Sequence, residues 1–110
     1  MLIEFDKMKS VTIPKLNGGE GSVTAAMYMD DSGKIMYSVI PAGSSIGLHT
    51  QSTSNDINYV ISGQGKAVCD GVEEILHTGV CHYCPKGSQH TIINTGEEDL
   101  VLFTVVAEQP

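Results

Sequence analysis

The run Gly79-Val80-Cys81-His82-Tyr83-Cys84-Pro85-Lys86-Gly87-Ser88-Gln89-His90-Thr91-Ile92-Ile93-Asn94 sets a Pro-Lys-Gly turn between two short stretches rich in β-branched and aromatic residues. Neither stretch is long enough for a helix. The fixed φ of proline and a glycine free to turn left-handed make the break between them. Val80 to Cys84 and His90 to Asn94 therefore read as strands, and the turn delivers His90 to the start of the second.

The same grammar continues on both sides. Further strands are expected over Val23 to Met29, Ile35 to Ile40, Ile46 to His49, Ile57 to Ser62, Lys66 to Cys69, Val72 to His77 and Leu100 to Ala107. Between them lie clusters such as Asp30-Asp31-Ser32-Gly33, Pro41-Ala42-Gly43-Ser44 and Asn94-Thr95-Gly96, with the residues that turns require. Asp70-Gly71, flanked by strand-like runs, predicts a two-residue hairpin. No stretch carries apolar positions at helical spacing, so the chain reads as all-β, with two packed antiparallel sheets or a small barrel. Residues 1–13 are less patterned and are expected to form an edge strand or an arm exchanged within a dimer.

The length of 110 residues predicts a single domain over 1–110 that needs no disulfide framework to fold. Six basic residues against thirteen acidic give a net charge of −7, and all six are lysine. Without arginine forks or a cationic face, nucleic acid is excluded as a partner and phosphate-rich ligands are disfavoured. The longest apolar run is about five residues, against roughly twenty needed to span a bilayer, so no membrane segment is expected. Three cysteines cannot all pair, which suits a reducing cytoplasm.

Two segments hold the residues with chemistry. His49 and Gln51 lie two apart and so emerge from one sheet face; Asp56 follows after a polar loop, with Asn58, Val60 and Ser62 on its own face. His90 enters from the Pro85-Lys86-Gly87 turn. Two imidazoles, an amide and a carboxylate converging at one point would suit a divalent transition metal (Mn, Fe, Ni or Zn) rather than calcium or magnesium.

These residues fall at the spacings of the cupin superfamily, which the chain resembles. The first cupin motif, Gly-x5-His-x-His-x3,4-Glu-x6-Gly, corresponds to Gly43, His49, Gln51, Asp56 and Gly63. The second, Gly-x5-Pro-x-Gly-x2-His-x3-Asn, is matched without departure by Gly79, Pro85, Gly87, His90 and Asn94. Together they span 43–94, about half the chain, and fifteen residues separate Gly63 from Gly79. The resemblance implies a double-stranded β-helix (jelly-roll) barrel with its site in the mouth, and a homodimer. It also implies a metal at His49, Gln51, Asp56 and His90, and a small-molecule substrate bearing a carbonyl, carboxylate or sugar-like group. Sugar isomerisation or epimerisation, β-elimination and oxygenation all remain open, because one fold hosts many chemistries.

Two departures bear on function. Gln51 stands where the family usually has a second histidine and offers only a neutral amide oxygen. Asp56 stands where it has glutamate, losing roughly 1.5 Å of reach, so the backbone must sit closer or the carboxylate must bind through water. Asp56 could then serve as a general base, with Asn58 hydrogen-bonding the substrate. Two alternatives stand beside the metal-dependent enzyme. One is a non-catalytic module that binds a sugar or organic acid. The other is a polar interior without metal, in which Asp56 accepts a hydrogen bond from His49 or His90.

Weaker signals read as packing. Cys81 and Cys84, at odd spacing on one strand, point to opposite faces; they and Cys69 are expected to be small buried hydrophobes. Either His82 and Cys84 or Cys81 and Tyr83 share the inward face; His82 is expected to be partly exposed or hydrogen-bonded and His77 to face solvent. Tyr28, Tyr37, Tyr59, Phe103 and Met36 are expected mostly in the core, with one or two walling a pocket. Glu97-Glu98-Asp99 should keep its rim solvated.

Overall fold

The computed structural model describes residues 1–110. Its strands are β1 (Val11–Pro14), β2 (Ser22–Asp30), β3 (Gly33–Ile40), β4 (Ser45–Thr50), β5 (Ser54–Ser62), β6 (Gln64–Cys69), β7 (Val72–His77), β8 (Cys81–Cys84), β9 (Gln89–Asn94) and β10 (Leu100–Glu108). Every expected strand is present, with ends shifted by up to three residues. The helical content is two single 3-10 turns, Phe5–Lys7 and Leu16–Gly18. No helix is long and apolar enough to cross a membrane.

The strands form two antiparallel sheets, one ordered β1-β2-β3-β10-β5-β8 and the other β4-β9-β6-β7. From β4 onward the chain repeatedly crosses from one sheet to the other, the winding of a jelly roll. This crossing positions the site: β4 and β9 lie side by side in the smaller sheet, while β5 lies in the larger one facing them. β1 lies at the edge of the larger sheet and pairs with β2 of its own chain. Asp70 (φ 49°) and Gly71 (φ 81°) make the left-handed pair that turns β6 into β7. Asp70 also fastens that hairpin to β9 by accepting the Gln89 backbone N–H at 3.0 Å. That bond, with the Ser88 hydroxyl second, holds its carboxyl below the usual range.

Val23, Ile40, Val60, Ala67, Leu76, Ile92, Leu100 and Leu102 form the buried apolar cluster between the sheets. The inner face of β5 grades from Ser54 through Asp56 and Asn58 to Val60, all buried, so one strand carries polar groups at one end and core at the other. Ser62 leaves that face and is exposed, contrary to simple alternation. The pairing with β10 slips between Val60 and Ser62, a bulge that takes up Ile61.

The tyrosines also depart from expectation. Tyr37 and Tyr59 lie on the outer face of the larger sheet at 37% and 45% exposure, and Tyr28 bonds Asp30 at the surface; of the bulky residues named, Met36 reaches the interior cavity. Cys84 is fully buried, whereas Cys81 is exposed and Cys69 only half-buried. β8 sends His82 and Cys84 inward, opposite Asn58 and Asp56, so Cys81 and Tyr83 must face out. Burial, then the neighbouring Cys69 thiol, pushes the Cys84 thiol up to about 12. Under native conditions at neutral pH, Cys81 is the thiol expected to react with a soluble alkylating reagent, with Cys84 protected until unfolding; mass mapping of labelled peptides checks this.

Two motif glycines differ in what they tolerate. Both Gly63 (φ 94°) and Gly79 (φ 95°) are left-handed, but a Cβ at Gly63 would collide with the Asp99 carbonyl and Leu100, whereas nothing lies within 4 Å of one at Gly79. Gly79→Ala should cost about 1 kcal/mol for its φ alone, and Gly63→Ala about 3 kcal/mol once the clash is added. Denaturant titration of the two variants makes the comparison.

Candidate metal centre

His49, Asp56 and His90 come together. One ligand atom from each lies within 4.8 Å of the others, with His49 half-buried and the other two buried. His90 Nε2 is 3.1 Å from Asp56 Oδ2 and 3.2 Å from His49 Nε2. The short arm of Asp56 therefore reaches His90 directly and comes within 4.8 Å of the ligand atom of His49.

The meeting of the two histidines depends on a bulge. Ile46 pairs with Ile92, yet His49 pairs with His90, so two residues of β4 stand opposite the single Thr91. Without the extra residue Leu48 would oppose His90; with it, His49 does, and Leu48 turns out to solvent at 58% exposure. The carbonyls freed by the bulge are used: Ile46 O accepts the Thr91 hydroxyl, and Gly47 O accepts from His49 Nδ1 at 2.8 Å.

A second chain of contacts sets His90. His82, fully buried, donates from Nδ1 to Glu74 Oε1 at 2.7 Å, so its Nε2 carries a lone pair when the ring is neutral. That lone pair lies 2.8 Å from His90 Nδ1, which must be the donor. His90 Nε2 is then a lone pair, and His49 Nε2 is one too, since its Nδ1 donates to Gly47. With all three rings neutral, two lone pairs and a carboxylate oxygen thus face one another with no proton left to share.

Such a cluster calls for a cation. One added proton could bridge only one of the two short contacts at a time; a divalent ion satisfies all three atoms. At ligand distances near 2.1 Å, neighbouring ligand atoms of an octahedral or tetrahedral ion stand roughly 3.0–3.4 Å apart; the two contacts of His90, at 3.1 and 3.2 Å, fall in that range, and the third pair, His49 and Asp56, lies within 4.8 Å. The residues present therefore fit a metal ion, with two nitrogens and an oxygen as a donor set for a transition metal.

Gln51 lies just beyond β4, held by backbone bonds to Ser88 and Gly87 at 2.9 and 2.7 Å. Its amide donates to Ser54 Oγ at 3.3 Å, leaving Oε1 as its remaining polar atom, and it lines the same cavity as the three ligand candidates. Asn58 also lines that cavity. Its Oδ1 accepts the Thr104 hydroxyl at 2.7 Å, while its Nδ2 and Asp56 Oδ1 are buried without protein partners. The cavity has a volume of about 350 Å³.

Glu74 was no candidate in the sequence, and His82, expected to be partly exposed or hydrogen-bonded, is fully buried and hydrogen-bonded on both ring nitrogens, the support of His90. Parity with Cys84 was the available signal for His82. Glu74 had none, because the run Val72-Glu73-Glu74-Ile75-Leu76-His77 lacks clean alternation. His77 and Glu97-Glu98-Asp99 are exposed, as expected.

Comparison with known proteins agrees with this architecture. The cupin domain family matches residues 36–106. An oxalate-binding protein of Thermotoga maritima is 27% identical over 112 residues, covering 96% of this chain and 93% of that protein. An uncharacterized protein of Methanocaldococcus jannaschii is 28% identical over 105 residues, covering 91% and 80%. Among solved structures, a Thermotoga maritima protein described as a predicted oxalate decarboxylase superposes with a TM-score of 0.93 at 25% identity, over 99% of this chain and 100% of that one. An RmlC-like cupin from Shewanella frigidimarina superposes at 0.81 with 14% identity over 97% and 89%, a likeness of fold alone. A family match over well over half of the residues, on a jelly roll whose facing strands carry both motifs, establishes that the chain belongs to the cupin family.

Proposed function

We propose that the chain is a metal-dependent small-molecule protein in which His49, Asp56 and His90 hold one divalent transition ion (Mn, Fe, Ni or Zn), with Gln51 Oε1 as a weak fourth donor, and in which a small organic acid binds at that ion. The observation that carries the reading is the meeting of His49 Nε2, His90 Nε2 and Asp56 Oδ2 in one cluster, with His90 at 3.1 Å from the carboxylate and 3.2 Å from the second imidazole. A divalent ion at this position supplies Lewis acidity to a carboxylate or carbonyl oxygen. The Thermotoga relative named for oxalate binding supports an acid as the ligand class.

The chain's own groups divide the remaining work. Asn58 Nδ2 offers an unused N–H to a ligand oxygen, its orientation fixed by Thr104. Asp56 Oδ1, buried and unpartnered, can take a proton from the ligand or hold a donor on it. Removal of such a proton makes the protein an enzyme, with Asp56 as its general base. The second reading, a non-catalytic binding module, is favoured by Asp56 itself, since a carboxylate engaged with the ion through Oδ2 is a poor base.

The deciding experiment is elemental analysis and metal titration of protein purified without added ions, followed by incubation with small carboxylic acids and product analysis. One equivalent of metal, lost in His49→Ala, supports the metal reading; protein that takes up none at micromolar ion refutes it. Turnover separates the enzyme from the module.

The outer face of the larger sheet exposes Tyr37, Tyr59, Ile61 and Tyr83 at 37–51%, a strip that a second copy of the chain would cover. A homodimer through that face is the proposed assembly. Light scattering should give twice the 11.7 kDa of the chain, and Tyr59→Glu should shift it toward the monomer. The three free thiols fit the reducing conditions of a cytoplasm.

A further inference from the structure

The inner face of the larger sheet carries an unused cation. Lys34 on β3 lines the cavity and is the only lysine to do so. It enters none of the chain's ion pairs. In the sheet register Lys34 stands opposite Val106, and Val106 opposite Asp56, so the lysine lies two strands from the metal candidate in the same cross-strand row. At the usual strand spacing their backbones are roughly 10 Å apart.

The surface grades from polar near Asp56 to apolar near Lys34. The next row runs from Asn58 through Thr104 to Met36 and Met27, and Val106 fills the centre of the first. The cavity of about 350 Å³ would hold roughly a dozen waters at about 30 Å³ each, far more space than a six-atom dianion such as oxalate occupies. An ion of that size would reach the metal but leave the methionines and Lys34 facing water. The overall charge of −7 gives no general attraction for anions, so a cation placed inside the cavity acts as a local anchor.

We propose that the cavity takes a two-ended acid: a chelating 2-oxo- or 2-hydroxycarboxylate head at the ion, an apolar body against Met27, Met36 and Val106, and a second carboxylate at Lys34. The span corresponds to a body of about three to five carbons. This inference rests on the metal reading above and names the ligand class of that site. Glu108, exposed at the same mouth, is the opposing charge, and it sets a limit on the affinity that its removal should relieve.

Calorimetry with manganese-loaded protein tests it, using oxalate, 2-oxoadipate and 2-oxohexanoate, which keeps the head and body of 2-oxoadipate but lacks its second carboxylate. 2-Oxoadipate should bind about tenfold more tightly than either of the others. Lys34→Met should erase its advantage over 2-oxohexanoate and leave oxalate unchanged, while Glu108→Gln should tighten 2-oxoadipate alone. Lys34 is half-exposed, so the variant's melting temperature serves as a control on folding. Metal content is measured on the same samples. Protein that takes up no metal overturns the metal reading and this one together. Metal-loaded protein that prefers oxalate, or a Lys34→Met variant that treats the diacid as the wild type does, overturns this inference and leaves the metal reading standing.

Discussion

His90→Ala will leave the protein unable to retain a divalent ion. His90 is the centre of the cluster, the one residue in short contact with both Asp56 and His49. Its removal takes away one of three donors and breaks the path by which Glu74 and His82 support the site. Loss of a supporting residue alone commonly costs about ten- to hundredfold in metal affinity, which is the range expected for His82→Phe. Glu74→Gln, exposed enough for water to replace its carboxylate in part, should sit at the lower end of that range. His90→Ala should exceed about a hundredfold, beyond both. Competition against a chromogenic chelator gives the three affinities on one scale. Nitrogen NMR of the His90 ring in the apo protein supplies an independent readout: the wild type should show the proton on Nδ1, and His82→Phe a mixture of tautomers. Equal metal retention by wild type and His90→Ala would remove the basis for placing the ion here.

Asn94→Ala should be the most destabilising single change at a motif position. The side chain is buried and makes three bonds: Nδ2 donates to Ile40 O at 2.8 Å and to Glu98 O at 2.7 Å, and Oδ1 accepts the Gly96 N–H at 2.8 Å. It thereby ties the end of β9 to the end of β3 in the opposite sheet and closes the turn that follows. At about 1–1.5 kcal/mol for each bond, with buried backbone groups left unpaired, the loss should be near 4 kcal/mol. Asn94→Asp should fare no better, because it keeps the acceptor for Gly96 but sets a carboxylate against two carbonyls. Denaturant unfolding measures both. A change under about 1 kcal/mol would mean that water replaces these bonds without penalty. Asn94 thus belongs to the motif as a structural clip, distant in role from the ligand candidate His90 four residues earlier.

The positions of the strands and turns were legible in the residues because alternation, β-branching and left-handed turn residues act over a few positions. The convergence of His49, Asp56 and His90 was legible through motif spacing, which encodes the crossing of consecutive strands between sheets. Other features were hidden for physical reasons. His49 meets His90 only because β4 carries an extra residue, and a bulge is decided by the partner strand's register. Cys81 and Tyr37 looked like core by composition, yet each lies on the face of its strand that the second sheet does not cover.

What the sequence determined by itself was the all-β class, the order of the strands and the set of residues able to hold a metal, all consequences of local chemistry and spacing. Only the tertiary structure decided that Glu74 and His82 orient His90, that Asp56 is close enough to join the imidazoles, and that Lys34 shares a cavity with them. Each of those contacts joins strands distant along the chain, and sheet order and register, which arise only when the whole barrel closes, determine which side chains become neighbours.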